Sequence, residues 1–513
     1  MATEFTVTIR ATSIQVYPGQ EAIIPLQPLL NLLTYEDEYA EQTKTLGFML
    51  DTETDILYLH KGVDPEYLRR LLVHVKFIME PCDPCREMKF DYEEIIPPRD
   101  NEQVDAINFI AGIKEHLSNA KDSQVFLVKA TGKGKTYCSD VGMCLYHKKT
   151  LVIMHRDTLR TQWVDSIHKM TGMTSRDVFE ITSSEELCKI ANNEHDYDFD
   201  VYLMTHATFR AGLKRVGSIS KMSNVIKNLG IGLKIIDEAH LEFRDTLMMD
   251  FCFNVQRNLY LTATDGRSSK DENSIFKHVF ANTTFYKPSS LLTVDDTKPS
   301  KWVEYNIVEI NTHVNPKLYR FKIAGGKGMS VASYGKWVIQ HDRKQTHFKV
   351  IRDLLRQMFE NDPQSKVLVF LPLIDLCTEC AYFLSKYFDH DDTFEYSLNI
   401  RTINSKNSTI ENERAQRADI IVTTIASCGV GKDIKGLTGV ISCSPFCSSL
   451  TATQVLGRLR YCGKTCYYYD IFDASVQMDR FWLKARSKTL KRLAMKTNYL
   501  SWTEEENTDN DKV

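Results

Sequence analysis

Val125-Phe126-Leu127-Val128 runs directly into Lys129-Ala130-Thr131-Gly132-Lys133-Gly134-Lys135-Thr136, and an amphipathic stretch follows. An unbroken apolar run of this length fits a strand covered on both faces, and the glycines that follow end it. Strand, glycine-bearing loop, then helix is the setting that a phosphate-binding loop requires. Gly132 and Gly134, with Thr131 and Lys133 between and beside them, let backbone N–H groups close around the β- and γ-phosphates of a nucleotide. Lys135 supplies a point charge to those oxygens, and the Thr136 hydroxyl can ligate Mg²⁺. The helix beginning there adds the positive end of its dipole. The general pattern has glycine where this chain has Lys129.

Similar apolar runs recur on the C-terminal side, at 151–154, 201–204, 234–236 and 259–261, separated by amphipathic stretches. A second set lies at 367–371, 420–423, 440–443 and 467–472. Buried strands alternating with helices predict an α/β protein with two consecutive parallel-sheet domains and a seam near 289–300. The segment before them reads as a small α/β unit. Residues 5–9 alternate like a half-buried strand, and 46–50 with 56–60 read as a hairpin. A helix is expected from Pro65 through Leu68, Leu71, Leu72 and Val75. Prolines 81, 84, 97 and 98 mark 80–98 as a linker. The expected boundaries are 1–95 for the small N-terminal domain, 96–295 and 296–492 for the two sheet domains, and 493–513 for a partly disordered tail.

With 513 residues, the chain is too long for one hydrophobic core. No apolar run is long enough to span a bilayer, and the first residues lack the pattern of a secretory signal, so a cytoplasmic protein is expected. Thirteen scattered cysteines fit reduced thiols rather than a disulfide framework. Cys82-Asp83-Pro84-Cys85 has the spacing of half a zinc site, but no second pair lies nearby to complete four ligands, and the better reading is a turn at Pro84. The net charge of −3 conceals three tracts without acidic residues, at 201–236, 313–341 and 480–502. Each carries several lysines and arginines, which suits a phosphate-tracking surface on a nearly neutral protein or, for the third tract, a plain solvated helix face.

The second chemical signal is Ile235-Ile236-Asp237-Glu238-Ala239-His240, at the end of another buried strand. A carboxylate at a strand end can hold Mg²⁺, and its neighbour can orient and deprotonate the attacking water of nucleotide hydrolysis. Asp237 fits the first role and Glu238 the second.

These two elements resemble those of superfamily 2 helicases, whose second motif is Asp-Glu-Ala-His as it stands here, the DEAH box. Further segments match in order: Thr262-Ala263-Thr264 the third motif, Gly431-Lys432-Asp433 the fifth, and Gln454-Val455-Leu456-Gly457-Arg458 the sixth. The resemblance implies two tandem RecA-like domains with ATP and Mg²⁺ between them. It implies that Gln103 reads adenine and that Asp433 approaches the ribose. Gln454 and Arg458 would reach the γ-phosphate from the second domain, and His155, Arg156, Thr205, His206 and Thr424 would contact the strand. Gln162-Trp163 falls with the strand-lining motif Ia. The sixth motif normally has a second arginine where this chain has Tyr461, so either Arg460 takes that place or Arg458 acts alone.

Within the superfamily the chain looks most like the UvsW-like phage DNA helicases, which also carry a small N-terminal α/β domain. That implies an ATP-dependent DNA helicase or translocase working on forks and Holliday-type junctions in recombination or repair, in the host cytoplasm. Its partners would be single-stranded and branched duplex DNA, with no membrane and no small-molecule substrate besides ATP, and it would act as a monomer. The N-terminal domain could add a DNA-binding face at Arg69, Arg70 and Lys76. The alternatives are an RNA helicase of the DEAH type, a duplex translocase without strand separation, and an ATP-binding scaffold without catalysis. Gly325-Gly326-Lys327-Gly328 is a candidate junction-contacting loop or a plain turn.

Overall fold

A computed structural model describes residues 4–37, 42–45, 47–113, 123–129, 134–262, 270–286, 300–313, 330–342, 344–391, 394, 396–429 and 434–503. The chain divides into two compact units, Met1–Thr293 and Val294–Val513.

The first unit begins with strands β1 (Phe5–Ile9), β2 (Ser13–Tyr17), β3 (Thr34–Asp37), β4 (Gln42–Thr45), β5 (Phe48–Asp51), β6 (Ile56–His60) and β7 (Val75–Met79). Five of them form a mixed sheet in the order β5-β6-β2-β1-β7, with the expected hairpin at β5 and β6. The expected helix begins at Pro65, where the Asp64 side chain accepts from the Glu66 N–H, but it stops at Leu71. Val75 belongs instead to β7, because the segment beyond His74 (φ 58°) pairs in parallel with β1.

Seven strands then follow: β8 (Gln124–Val128), β9 (Thr150–Met154), β10 (Val178–Glu180), β11 (Val201–Thr205), β12 (Leu233–Ile236), β13 (Arg257–Thr262) and β14 (Thr284–Tyr286). They make a parallel sheet in the order β10-β11-β9-β12-β13-β8-β14. The second unit repeats the plan with β15 (Val303–Ile310), β16 (Val367–Phe370), β17 (Ile400–Ile403), β18 (Ile420–Thr423), β19 (Gly439–Ser442), β20 (Cys466–Asp473) and β21 (Lys496–Ser501). Its parallel order is β17-β18-β16-β19-β20-β15-β21. Renumbered from the first strand of each set, both orders read 3-4-2-5-6-1-7. The central strands are apolar because helices cover both faces: every residue of β8, β9, β11 and β12 is buried.

The N-terminal sheet is bonded to the first parallel-sheet domain rather than tethered to it. Arg10 Nη1 donates to the Phe251 carbonyl, the Ala11 N–H to Asn254 Oδ1, and Thr12 Oγ1 to the Asp250 carbonyl. The expected linker is a strap. Arg86 N donates to the Gly230 carbonyl and Lys149 N to that of Arg86, while Asp200 receives the N–H groups of Lys89 and Phe90. Cys85 Sγ lies 3.4 Å from Gln256 Oε1, and among the described residues no three metal-ligating side chains cluster.

The basic tracts come out unequal. In the first, Lys234 is fully buried against Asp250, Arg210 pairs with Asp245 and Glu242, and Lys227 with Asp83. Acids distant in sequence thus neutralise half of an expected surface. Most of the second tract, including the Gly325–Gly328 loop, lies outside the described residues.

Candidate functional site

The strand ends of the first parallel sheet bring the predicted residues of that domain to one edge. Open α/β sheets bind ligands outside the carboxyl ends of their strands. Lys129 follows β8, His155 follows β9, Thr205 ends β11, Asp237 follows β12 and Thr262 ends β13. Backbone bonds fix this edge: Asp237 N to the Ile153 carbonyl at 2.8 Å, Ala239 N to that of Leu261 at 3.0 Å, and Lys129 N to that of Thr262 at 3.0 Å.

Thr131, Gly132 and Lys133 lie outside the described residues. Gly134 is at φ +82°, and a Cβ there would stand 2.6 Å from Gln103 Nε2, so this position needs glycine twice over. Gln103 is thereby placed against the phosphate loop. It is buried on the helix Asn101–Ala111, where Asp100 caps its N–H and the Arg99 N–H donates to its Oε1. Lys129, the departure from the glycine pattern, is buried and pairs with Glu102 at 2.5 Å. The pair joins the helix Asn101–Ala111 to the end of β8.

Lys135 and Thr136 open the helix Lys135–Tyr146. Lys135 Nζ donates to Glu238 Oε1 at 3.2 Å. Glu238 sits at φ 48°, uncommon for a residue other than glycine. Its buried Oε2 has no hydrogen bond among the described residues, although His240 Nδ1 lies 3.4 Å away. Burial raises the Glu238 carboxyl, but Lys135 and His240 outweigh it and leave the group below its ordinary value. Asp237 is pushed up to about 6 by burial and by the charge of Glu238, with Lys135 and Trp163 opposing.

The helix Asp157–Thr171 supplies two positions whose site role the sequence did not reveal. Trp163, read with the strand-lining motif, faces inward and donates from Nε1 to Asp237 Oδ2 at 3.0 Å. Ser166 Oγ donates to Asp140 Oδ2 at 2.5 Å. Burial, with Asp237 nearby, holds Asp140 well above the usual carboxylate range. Behind the acidic pair, His240 Nδ1 and Thr262 Oγ1 lie 2.9 Å apart, joining the second motif to the start of the third. Ala263 and Thr264 lie outside the described residues. A tryptophan seventy-odd positions before its carboxylate partner leaves no local pattern to read.

The expected strand contacts of this domain differ in accessibility. Arg156 precedes the helix Asp157–Thr171 and is half-buried. Thr205 Oγ1 caps the helix His206–Val216 by accepting from the Thr208 N–H. His206 is buried, 3.8 Å from Asp245, with its pKa lowered to about 3 by burial. His155 is likewise lowered, to about 4, by burial and by Arg156. Neither ring has a hydrogen bond among the described residues.

In the second unit, Thr424 follows β18 and its Oγ1 accepts from the Ser427 N–H. Asp433 lies outside the described residues. Gln454, on the helix Ser449–Leu456, and Arg458 just after it are both buried. Arg460 and Tyr461 are exposed beyond the helix, and Tyr461 packs edge-on to Trp302 at 5.7 Å. Trp302 Nε1 donates to the Leu459 carbonyl, and the Tyr461 ring, at the position expected to hold a second arginine, meets that indole edge-on.

Two parallel sheets with one strand order, and a phosphate loop beside a strand-end carboxylate pair, define a RecA-like nucleotide-binding class. Residues 96–267 match the profile of the family described as type III restriction enzyme, res subunit, a helicase-family domain. Among curated proteins none matches the chain. Among solved structures, Dbp5 of S. cerevisiae bound to RNA and ADP BeF3 is 14% identical, with a TM-score of 0.50, covering 78% of this chain and 94% of that one. Mss116p bound to ssRNA and AMP-PNP is also 14% identical, with a TM-score of 0.52 and 83% of each chain covered. At this identity the likeness is one of fold. The family match spans only the first parallel-sheet domain, and the solved structures add the RecA-like fold of both.

Proposed function

We propose that this chain is an ATP-driven motor that works on branched DNA, at forks and Holliday-type junctions in recombination or repair. The observation that carries the ATPase reading is the Lys135–Glu238 contact at 3.2 Å, with Asp237 alongside and Gln103 against Gly134. The Asp237 carboxyl and the Thr136 hydroxyl offer oxygen donors that fit a hydrated Mg²⁺, and Glu238 Oε2, with no hydrogen bond among the described residues, is left for the attacking water. When bound, Mg²⁺ supplies charge neutralisation for the phosphates. Lys135 would leave Glu238 for the β- and γ-phosphate oxygens, freeing that carboxylate to take a proton from water. Trp163 holds Asp237 in one orientation throughout. Gln454 and Arg458 are proposed to act on the γ-phosphate, and His240 with Thr262 to pass the nucleotide state to the strand-binding residues.

DNA is proposed over RNA because the matching family is that of a restriction enzyme subunit. The RNA in the Dbp5 and Mss116p structures supports nucleic-acid binding in general and keeps RNA remodelling as the second reading. The test is ATPase rate with no nucleic acid, single strand, linear duplex, forked DNA, a four-way junction and matched RNA. Stimulation by forked or junction DNA above both linear forms is expected. Stimulation mainly by RNA would move the chain to the remodelling group, plain-duplex stimulation to the translocases, and none at all to the scaffold reading.

A further inference from the structure

The last helix, Gln477–Leu493, divides its cations between two faces. Inward, Arg486 is fully buried, with Nε 3.0 Å from both Asp470 oxygens, Nη2 3.4 Å from Asp479 and the guanidinium over the Phe446 ring. Arg486 therefore leaves the expected basic surface. Outward, Arg480, Lys484, Lys488, Lys491 and Arg492 are exposed at three- and four-residue intervals, and Lys496 is exposed at the start of β21. No acidic residue occurs from Arg480 to Trp502. Among the described residues, Lys491 meets the Tyr499 hydroxyl and ring. Arg480, Lys484, Lys488, Arg492 and Lys496 have no ion-pair partner among those residues.

Two further observations set this face apart from an ordinary solvated one. Lys484, Lys488 and Arg492 stand four residues apart in succession, and like charges at that spacing destabilise a helix by about 0.2–0.5 kcal/mol per pair. The helix dipole favours Lys491 and Arg492 in the last turn, but it offers Lys484 and Lys488 no such gain. Two aromatic rings also lie open on the same elements, Phe481 at 65% and Tyr499 at 67% exposure.

We propose that this face binds the phosphate backbone of a nucleic acid, as a grip separate from the strand-end residues of the first unit. Twelve helical steps from Arg480 to Arg492 reach about 18 Å, on the order of five phosphates of one duplex strand. Phe481 and Tyr499 offer surfaces on which an unpaired base stacks. The proposal rests on the nucleic-acid reading above.

The test is fluorescence anisotropy of the full chain with labelled single strand and duplex, across about 50 to 300 mM salt. Wild type is compared with the triple variant Lys484→Gln, Lys488→Gln, Arg492→Gln. These side chains are exposed and none is among the residues assigned to the nucleotide site, so unchanged circular dichroism and unchanged ATPase without nucleic acid are expected. The triple variant should bind at least about tenfold more weakly at low salt, and its slope of log affinity against log salt should fall by about 2. Unchanged affinity and slope, as would follow if the face serves the chain's own acidic end, would overturn the proposal while leaving the motor reading intact. Failure of the wild type to bind either nucleic acid would overturn both.

Discussion

Replacing Trp163 by Phe removes one hydrogen bond and keeps most of the ring. Trp163 is 2% exposed, so the ring is packed in the core, and its Nε1 is the donor to Asp237 Oδ2 at 3.0 Å. A hydrogen bond to a charged group contributes about 1.5–3 kcal/mol. If that bond keeps the Asp237 carboxylate aimed at the nucleotide site, losing it raises the hydrolysis barrier by a similar amount, or about ten- to 150-fold in rate. Steady-state ATPase at saturating nucleic acid should show the loss in kcat and a higher Mg²⁺ concentration for half-activity. KM for ATP should move much less, because Gln103 and the phosphate loop are untouched. Thermal unfolding by circular dichroism separates this from a general loss of fold. A kcat and a Mg²⁺ requirement both within about twofold of wild type would refute the reasoning, since the bond would then be worth under about 0.4 kcal/mol to the reaction.

Lys135→Ala should abolish ATP hydrolysis, and near-normal turnover would remove the phosphate-loop assignment. Glu238→Gln should still bind a fluorescent ATP analogue yet hydrolyse ATP about 10²–10⁴-fold more slowly, the usual contribution of a general base. His60 and His206 are buried and held neutral, each lowered from 6.5 to about 3 mainly by burial. Their folded values lie below the unfolded one, so the stability they permit is complete above about pH 6.5 and falls by about 1.4 kcal/mol per pH unit for each as pH drops toward 3. Urea unfolding at pH 7.5 and 5.5 should show this loss, with a shallower dependence in His60→Asn. Arg486→Met strands the buried Asp470 and Asp479 carboxylates and should destabilise the second unit by about 3–5 kcal/mol, read as a lower urea midpoint in tryptophan fluorescence.

The sequence by itself determined what periodicity and local chemistry carry. The four-residue apolar run before the phosphate loop, the Asp237-Glu238 pair at a strand end and the recurrence of buried runs were enough for two parallel sheets and a nucleotide site. Each is written in consecutive residues, because a strand buried on both faces has no polar alternation and a phosphate loop is one continuous turn. The tertiary structure decided what depends on residues far apart in the chain. β21, placed in the tail by its exposed polar sequence, is an edge strand, paired on one side with β15 and open on the other. β15 escaped notice because Glu304, Asn306 and Glu309 interrupt its apolar pattern. Lys234 and Arg486 read as surface charge but are buried against carboxylates 16 residues away in each case, while Lys484 and Lys488 on the same helix as Arg486 stay in solvent. A charge in sequence has no face. Only the packing of its helix or strand, and the acid that folding brings beside it, settles whether it stabilises a core or remains available to a phosphate.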